Sequence, residues 1–493
     1  MKQLEILDTT LRDGAQSEGI SFSVSDKLAI VKVLDQFGVA YIEAGNPVSN
    51  PKDMEFFAKA RELTLTNAKL CAFGSTRRKH VAVEDDENVR SLLSANTPAV
   101  SIFGKSWDLH VTEVLKATLE QNLILVADTV GFMKQNGREV IFDAEHFFDG
   151  YKANPGYALK VLAAANGAHA DVLCLCDTNG GADPMEIVSI TKTVCEAFPD
   201  VRVGIHCHND IGCAVANSIL AVEAGAMHIQ GTFTGIGERC GNASLCTIIP
   251  TLQIKKGYAC VSGSMENITS AAMQLSEISN MSLRANMPYV GSSAFAHKGG
   301  MHIDGVNKLS RSFEHVPPET VGNRRRFLLS EVAGRNALTA KLVGTSVADA
   351  VTDSNQTAAL LALLKDKEHD GYQFEAADAS FELLVKRALG QYTAHFSLDM
   401  YKTNGEFPSP DGETNASAML KIQVGGKYET TAAVGNGPVH ALDLALRKAL
   451  LVFYPQLERV HLTDYKVRVL HTEHAAGATV RVLIESGDGT RKW

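Results

Sequence analysis

Long hydrophobic runs, paired cysteine motifs and a secretion signal are all missing from this sequence. Its apolar runs fall short of the ~20 residues that a helix needs to span a bilayer. Its nine cysteines are scattered, without the Cys-x-x-Cys spacing typical of zinc and redox sites. Met1 is followed closely by a β-like run, which leaves no room for a signal peptide. We therefore expect a soluble, cytoplasmic protein whose thiols are small core residues.

An excess of positive charge is missing as well. The 493 residues carry a formal net charge of -9, with 45% hydrophobic and 21% charged residues. This balance is that of an ordinary globular protein, and it disfavours nucleic acid or an anionic membrane as the main partner. The length exceeds what one compact core can hold, so we expect two or three domains.

What the sequence does contain, over residues 1–265, is an alternation of short β-like runs with helical patterns. Between the first two runs, Ile30, Val33, Leu34 and Phe37 follow the spacing of an amphipathic helix. Such alternation predicts parallel βα units, and eight of them in about 250 residues match a closed (β/α)8 TIM barrel better than an open sheet. The predicted strands are 4–7, 40–44, 70–73, 99–103, 139–143, 172–176, 203–206 and 228–232.

Two further regions follow the predicted barrel. Residues 266–370 read as helical linker subdomains, interrupted by a glycine-rich polar stretch at 295–305. Residues 371–493 read as an α+β domain, with a strand–strand–strand–helix unit and then a second unit that stops before its closing helix. We expect this domain to be truncated, with an apolar sheet face left uncovered. Its predicted strands are 381–385, 392–401, 418–424, 428–434, 465–469 and 479–484, its helix is 439–453, and turns are expected at 425–427 and 487–489.

Two histidines separated by one residue end the seventh predicted strand. The twofold periodicity of a strand points His206 and His208 to the same face. With the carboxylate of Asp13 they form a ligand set with open positions, which suits a catalytic divalent metal (Mn2+, Mg2+, Co2+ or Zn2+) rather than a closed structural site. The alternative is a pair of partly exposed loop histidines.

Other polar residues also fall at carboxyl ends of predicted strands, where barrel enzymes carry their function. Arg12 could face an oxygen that becomes negative in a transition state, and Thr178 could make a substrate hydroxyl contact. The alternatives are an exposed charged turn and simple strand termination by turn formers. The residues at these ends are Arg12, Asp13, Glu43, Glu145, Asp177, Thr178, His206 and His208.

Two more motifs allow more than one interpretation. The glycines of 235–242 do not have the spacing of a dinucleotide-binding fingerprint, but they could form a backbone nest for an anion or present the Asn242 oxygen to the metal. The arginine run at 324–326 is a solvated face or a contact for coenzyme phosphates.

Four of these segments together resemble the α-isopropylmalate synthase/homocitrate synthase/citramalate synthase family of metallolyase barrels, which also includes hydroxymethylglutaryl-CoA lyase. Stretches at 101–110, 142–150 and 321–326 are similar to the long-form, citramalate-forming branch. The resemblance implies a Claisen-type condensation of acetyl-CoA with pyruvate to (R)-citramalate and CoA, towards isoleucine. The four segments are LDTTLRDG at 7–14, HCHND at 206–210, GERCGNA at 237–243 and GMHIDG at 300–305.

The resemblance also implies residue roles. The metal ligands would be Asp13, His206 and His208, with Asn242 as a fourth, and the 2-oxo acid would chelate the metal. Arg12 would stabilise the developing alkoxide, and Thr178 would hold the substrate carboxylate. The substrate-binding set is Arg12, Asp13, Gln16, Glu43 and Thr178.

Proton removal from the acetyl methyl group would fall to Glu145 and His302, with Asp304 nearby. In the family the equivalent of His302 comes from the partner subunit, which implies a homodimer with a swapped linker. The C-terminal repeats resemble a regulatory domain that binds the end-product amino acid, here isoleucine. Because the second repeat stops early, we expect weak or absent inhibition by isoleucine.

The sequence departs from the family at Phe313, where a tyrosine is common. We therefore expect activity to be lost on His302→Ala but retained on Phe313→Ala. Three alternative functions remain: a 2-isopropylmalate synthase acting on 2-oxoisovalerate, a lyase running in the cleaving direction, and a non-catalytic amino-acid sensor.

Overall fold

The chain divides into two compact units, Met1–Ala296 with Glu314–Arg326, and His297–Phe313 with Phe327–Trp493. The predicted division at 265 and 370 is finer than this and stays a prediction. The structure is a computed structural model, and it describes residues 2–49, 51–328, 353–372, 377–405, 415–469 and 478–488, with single positions at 338, 342, 345, 347, 374 and 493.

Eight parallel strands close into a barrel in the first unit, as the sequence predicts. Each strand pairs with the next one along the chain, and β8 pairs back onto β1 with Ile229 opposite Ile6. Every predicted run overlaps one of these strands, so the barrel is confirmed. The strands are β1 (Glu5–Asp8), β2 (Tyr41–Glu43), β3 (Lys69–Ser75), β4 (Ala99–Lys105), β5 (Glu139–Glu145), β6 (Val172–Asp177), β7 (Arg202–Cys207) and β8 (His228–Gly231).

Helices connect the strands around the barrel. The first begins with a capping box, in which Ser23 and Asp26 each accept the backbone N–H of the other, and its Ile30, Leu34 and Phe37 are buried. The helices of this unit are α1 (Val24–Phe37), α2 (Pro51–Ala60), α3 (Glu87–Ala95), α4 (Leu119–Gln135), α5 (Phe147–Ala153), α6 (Pro155–Gly167), α7 (Pro184–Ala197), α8 (Ala214–Glu223), α9 (Leu245–Pro250) and α10 (Ile268–Ile278), with shorter 3-10 or π turns at Gly14–Gln16, His110–Val114, Thr251–Lys255, Met265–Asn267 and Pro318–Val321.

The amino ends of the barrel strands are closed by a charged layer. Tyr41 donates to Glu139 at 2.6 Å, and Arg202 is paired with both Glu5 and Glu139. Above this layer the interior is filled by apolar residues such as Leu7 and Ile141. A closed floor and a packed interior leave the carboxyl ends of the strands as the face where a site can open.

The helices of the second unit include one that the sequence analysis assigned to a strand. Residues 381–385 were expected to be extended, but they lie inside the helix Asp378–Ala388. The reason is their spacing, because Phe381, Leu384 and Val385 follow an i, i+3, i+4 pattern and pack on one side, with Leu360 and Leu364 in the same cluster. The helices are α11 (Gly300–Lys308), α12 (Ser354–His369) and α13 (Asp378–Ala388), with a 3-10 turn at Ser310–Ser312; the two-residue strands β9 (Ala296–His297) and β10 (Arg326–Phe327) stand at the boundaries between units.

The C-terminal strands and helix follow the predicted order. Gly425 and Gly426 both have positive φ and form the tight hairpin turn, which only glycine adopts without strain. The predicted run at 392–401 becomes regular only from Ser397, and the predicted turn at 487–489 lies partly outside the described residues. The elements are β11 (Ser397–Gly405), β12 (Ala416–Val424), β13 (Lys427–Gly435), α14 (Pro438–Phe453), a 3-10 turn at Pro455–Arg459, β14 (His461–Val469) and β15 (Val480–Gly487).

The two C-terminal sheets differ in how much apolar surface they bury. Strands β11–β13 form an antiparallel sheet, and α14 packs Ala441, Ala445 and Ala449 against buried residues of β12. Among the described residues, strands β14 and β15 form a sheet of two strands, and their exposed large hydrophobic residues are Leu462, Tyr465, Val467, Val480, Val482 and Ile484. In the part of the chain that the structure describes, no helix is both long and apolar enough to cross a membrane.

Candidate active site

The two histidines of β7 and the aspartate that follows β1 meet at the carboxyl end of the barrel. His206 Nε2 lies 3.2 Å from Asp13 Oδ2, and His208 Nε2 lies 3.7 Å from the same oxygen. One ligand atom from each of the three lies within 4.8 Å of the others, and all three residues are buried. The structure thus brings together the triad that the sequence analysis proposed for a divalent metal.

Unpartnered oxygens around this triad fit a cation. Both carboxylate oxygens of Asp13 and the Oδ1 atom of Asn242 are buried and accept no hydrogen bond from the described residues. Asn242 stands opposite His208 in an isolated β-bridge. A Cβ on Gly237 would lie 2.1 Å from Asn242 Nδ2, so only glycine leaves room for the amide there. Imidazole, carboxylate and amide oxygen are all accepted by the candidate divalent metals, so the residues present fit such an ion.

The charges in the triad are arranged for metal binding. Burial alone would raise the pKa of Asp13, but the positive charge of Arg12 and the two imidazoles hold that pKa below its usual value. Burial, together with His206, lowers the pKa of His208 to about 4. Near neutral pH the site therefore offers an ionised carboxylate and a neutral imidazole, which are the ligand forms that bind metal.

Arg12 is fixed beside the triad by two neighbours. Its Nε donates to Glu43 Oε2 at 2.6 Å, and its Nη1 lies 3.4 Å from Asp13 Oδ2. Its guanidinium carbon stands 3.9 Å from the ring centre of Phe73. Burial would lower the pKa of Arg12, but Glu43 and Asp13 outweigh it and raise that pKa, so the cation is permanent.

A cavity of about 280 Å³ opens above these residues. Phe73 and Phe103, at the ends of β3 and β4, stack with ring centres 5.1 Å apart and form an apolar side of it. The lining residues are Arg12, Asp13, Gln16, Phe73, Phe103, Asp143, Glu145, Cys176, Thr178, His206, His208, Gln230, Glu238 and Arg239.

Glu145 and Thr178 enter the cavity from neighbouring strands. Glu145 ends β5 and is ion-paired with Lys105, which stands opposite it on β4. Thr178 Oγ1 accepts the backbone N–H of His146 at 2.9 Å. Because this hydroxyl oxygen is already an acceptor, its own hydrogen is free to be donated to a ligand.

A buried amide connects the triad to a carboxyl group deeper in the barrel. Gln230 Oε1 lies 3.1 Å from His206 Nδ1, and Gln230 Nε2 donates to Asp143 Oδ1 at 2.7 Å. Burial and the nearby Glu43 raise the pKa of Asp143 to about 7.

Most, but not all, of the proposed residues line the cavity. Arg12, Asp13, Gln16, Glu145, Thr178, His206 and His208 do so. Glu43 is fully buried and reaches the site only through Arg12. His302 and Asp304 lie on α11 of the other unit, where His302 packs on Phe313 with ring centres 4.7 Å apart and Asp304 is paired with Lys308 at 2.6 Å. Their roles, like those of the cavity residues, stay predictions.

Several lining residues were missed by the sequence analysis. Phe73 and Phe103 end predicted strands, and the rule that selected Glu43 and Glu145 would have selected them had apolar side chains been considered. Asp143 is the last residue of the predicted strand 139–143, and Gln230 is a polar position inside the predicted strand 228–232, an unusual pattern for a barrel interior. Arg325, in the arginine run considered for coenzyme phosphates, is paired with Glu314 by two contacts at 2.6 and 2.5 Å, and the role of the run stays a prediction.

Comparison with known proteins agrees with this architecture. A family model described as HMGL-like matches residues 3–282, a homocitrate synthase post-HMGL domain-like model matches 289–369, and a LeuA allosteric (dimerisation) domain model matches 375–493. Among solved structures, the HMG-CoA lyase of Bacillus subtilis superposes with a TM-score of 0.50 at 20% identity, covering 57% of this chain and 96% of its own. That likeness shows the fold alone.

Relatives with established names show which enzymes this chain is similar to in sequence. The (R)-citramalate synthase of Aquifex aeolicus is 52% identical and covers 100% of this chain and 93% of its own length. The (R)-citramalate synthase of Synechocystis is 49% identical, and the match covers 99% of this chain and 91% of that relative. A 2-isopropylmalate synthase of Shewanella baltica is 32% identical, and the match covers 90% of this chain and 83% of that relative.

The matches define, first, the class: an enzyme with an HMGL-like barrel and a LeuA-type C-terminal domain. Within that class, the chain belongs to the family of the (R)-citramalate synthases. The family resemblance and the fold expected from the sequence are thereby confirmed.

Proposed function

We propose that the chain catalyses the condensation of acetyl-CoA with pyruvate to give (R)-citramalate and free CoA, on a route towards isoleucine. The product is taken from the name of the relatives, (R)-citramalate synthase, and the two substrates are those that the family resemblance implies. The observation that carries the proposal is geometric: Arg12 and the Asp13–His206–His208 triad face one small cavity at the barrel mouth. A 2-oxo acid needs such a combination, because its keto oxygen must accept negative charge as the new carbon–carbon bond forms.

The metal triad would hold a divalent cation that polarises the keto group of the substrate as a Lewis acid. Arg12 would donate a hydrogen bond to the same keto oxygen, because Glu43 fixes the direction of its guanidinium. Thr178 can donate its free hydroxyl hydrogen to the substrate carboxylate, and Gln16 lies in the same cavity wall.

The carbon nucleophile requires a base. The acetyl methyl group loses a proton, its carbon bonds to the keto carbon of pyruvate, and water then cleaves the thioester to release CoA. Glu145 is the carboxylate at the cavity that we assign to the proton transfer, and Lys105 holds it in place before the substrate arrives. His302, with Asp304 nearby, would complete the proton transfer from a second subunit.

The apolar side of the cavity favours pyruvate over a branched 2-oxo acid. Phe73 cannot move freely, because Arg12 lies over one face and Phe103 stacks nearby. A methyl substituent needs less space beside this pair than an isopropyl group does. This supports the citramalate reaction against 2-isopropylmalate synthesis, the reaction named for relatives at 32% identity.

A homodimer whose C-terminal domain binds isoleucine completes the proposal. The match of residues 375–493 to a LeuA allosteric (dimerisation) domain supports it. The exposed apolar residues of β14 and β15 offer a surface for a second copy, since such patches are uncommon on isolated proteins.

The reaction is tested by identifying the product. Acetyl-CoA and pyruvate are incubated with purified protein and Mn2+, and the product is separated on a chiral column. We expect (R)-citramalate in amounts equal to the CoA released, and none after treatment with a chelator. A protein that binds isoleucine but forms no citramalate with any of the four candidate metals would be a sensor, and the proposal would be wrong.

A further inference from the structure

Gln230 lies between the metal triad and the buried carboxyl group of Asp143. It is 1% exposed, on β8, and both ends of its amide are engaged. Its nitrogen donates to Asp143 Oδ1 and its oxygen faces His206 Nδ1. We propose that Gln230 is a positioning residue that fixes the tautomer of His206, so that Nε2 always presents its lone pair to the metal. The inference rests on the proposed metal-dependent function.

The direction of the amide is set by Asp143. The atom of Gln230 that can donate is its amide nitrogen, and this atom lies 2.7 Å from Asp143 Oδ1 in the geometry of a donated hydrogen bond. The nitrogen therefore points to Asp143, which turns the oxygen towards His206 at 3.1 Å. An amide oxygen can only accept, so the hydrogen of the neutral imidazole must reside on Nδ1.

The consequence appears at the other ring nitrogen. With Nδ1 protonated, Nε2 of His206 is unprotonated, and its lone pair is available to bind a metal. This Nε2 atom lies 3.2 Å from Asp13 Oδ2. His208 has no such support, because its Nδ1 is buried without a hydrogen-bond partner among the described residues. The two histidines are thus held differently, and Gln230 acts on one of them only. Hydrogen bonds to the second ring nitrogen orient metal-binding histidines and raise their affinity.

The positions of His206, Gln230 and Asp143 on their strands explain why these three residues lie next to one another. In the pairing of β7 with β8, His206 stands directly opposite Gln230. Asp143 lies on β5 across the barrel interior, and it is 3% exposed. The relay formed by Asp143, Gln230 and His206 lines the cavity, but each of its residues is at most 5% exposed, so a lost hydrogen bond is shielded from bulk water and costly.

The test measures Mn2+ affinity by electron paramagnetic resonance, with no substrate present. Gln230→Met keeps the length of the side chain but removes both hydrogen bonds, and we expect Mn2+ binding to weaken about 10- to 100-fold. Gln253→Met is the matched control, because that glutamine accepts the N–H groups of Cys260 and Val261 and does not line the cavity. Its affinity should stay within about twofold of the wild type.

A pair of further variants separates the relay from simple packing. Asp143→Asn keeps an acceptor oxygen for Gln230 and should retain most of the affinity. Gln230→Glu keeps the acceptor for His206 but faces Asp143 with a second carboxylate, so it should weaken binding. In the double variant Gln230→Glu, Asp143→Asn, the side chain at position 143 donates the hydrogen bond and the side chain at position 230 accepts it. This double variant should recover the Mn2+ affinity that Gln230→Glu alone loses. Thermal denaturation monitors folding of each variant.

Three results would overturn the inference. If Gln230→Met binds Mn2+ as tightly as the wild type, the amide does not act through His206, although the proposed function would stand. If the wild type itself binds no divalent ion, both the relay and the proposed metal dependence are wrong. Weakening by Gln230→Glu that the added Asp143→Asn fails to reverse in a folded protein would also contradict the relay.

Discussion

Arg12 donates its Nε–H to the fully buried carboxylate of Glu43 at 2.6 Å, and this contact aims the guanidinium at the barrel mouth. Glu43 is not among the residues that line the cavity, and it does not belong to the metal triad. We therefore propose that Glu43 holds Arg12, and the direct substrate contact that the family resemblance implies for Glu43 stays a prediction.

The first prediction concerns this pair. Arg12→Lys removes the directed guanidinium and should lower kcat about 10²- to 10³-fold, the usual cost of losing a donor to a developing oxyanion. Glu43→Gln keeps an acceptor oxygen behind Arg12 and should lower kcat only about tenfold. Steady-state CoA release measures both. An Arg12→Lys enzyme with an unchanged kcat would remove Arg12 from the mechanism.

The second prediction concerns the apolar side of the cavity. Phe103→Ala enlarges the space beside the substrate without removing the ring that Arg12 covers. The ratio of kcat/KM for 2-oxoisovalerate to that for pyruvate should rise about tenfold or more, because each added methylene is worth roughly 1–3 kcal/mol in a pocket that accepts it. Phe198→Ala, away from the cavity lining, is the control and should leave the ratio unchanged. An equal ratio in both variants would show that the stacked rings do not select the substrate.

The third prediction separates His302 from its neighbour. Phe313 packs on His302, and its ring approaches within 2.2 Å of the point where a Cβ on Gly305 would lie. Phenylalanine cannot exchange a proton, so Phe313→Ala should retain activity, whereas His302→Ala should lose about 10²- to 10⁴-fold in kcat. Phe313→Tyr should match the wild type. Equal losses from His302→Ala and Phe313→Ala would mean that the pair has a packing role only.

The fourth prediction concerns stability and pH. Asp35 accepts the backbone N–H groups of Thr66, Asn67 and Ala68 at 3.1, 2.8 and 2.8 Å. Burial would raise the pKa of Asp35, but these hydrogen bonds outweigh it and lower that pKa. A lowered folded-state pKa stabilises the fold above the unfolded value of about 3.9, and this stabilisation fades as the pH falls through the lowered pKa.

Asp35→Asn should therefore reduce the free energy of unfolding by about 1.5–3 kcal/mol at pH 7. The gap to the wild type should narrow below about pH 4. Urea unfolding at a fixed protein concentration, from pH 7 downwards, measures the gap. A gap that stays constant down to pH 3 would contradict the role of the charge.

The barrel and its triad were predictable from the sequence because they depend on local patterns. Strand–helix alternation marks the eight strands, and strand periodicity places His206 and His208 on one side of β7. The link between Gln230 and Asp143 was not predictable, because it depends on which residues of β5, β7 and β8 face each other across the barrel. The strand expected at 381–385 was wrong for a similar reason, since a short apolar run fits a strand or a helix until its partners are known.

The measurement that tests the central claim most directly is CoA release from acetyl-CoA across pyruvate, 2-oxobutyrate, 2-oxoisovalerate and 2-oxoglutarate. Assays with Mn2+ and after chelation use the same protein preparation. We predict metal-dependent turnover that is fastest with pyruvate, falls with 2-oxobutyrate and is lowest with the two larger acids. Turnover of 2-oxoisovalerate with none of pyruvate would contradict the account and identify a 2-isopropylmalate synthase instead.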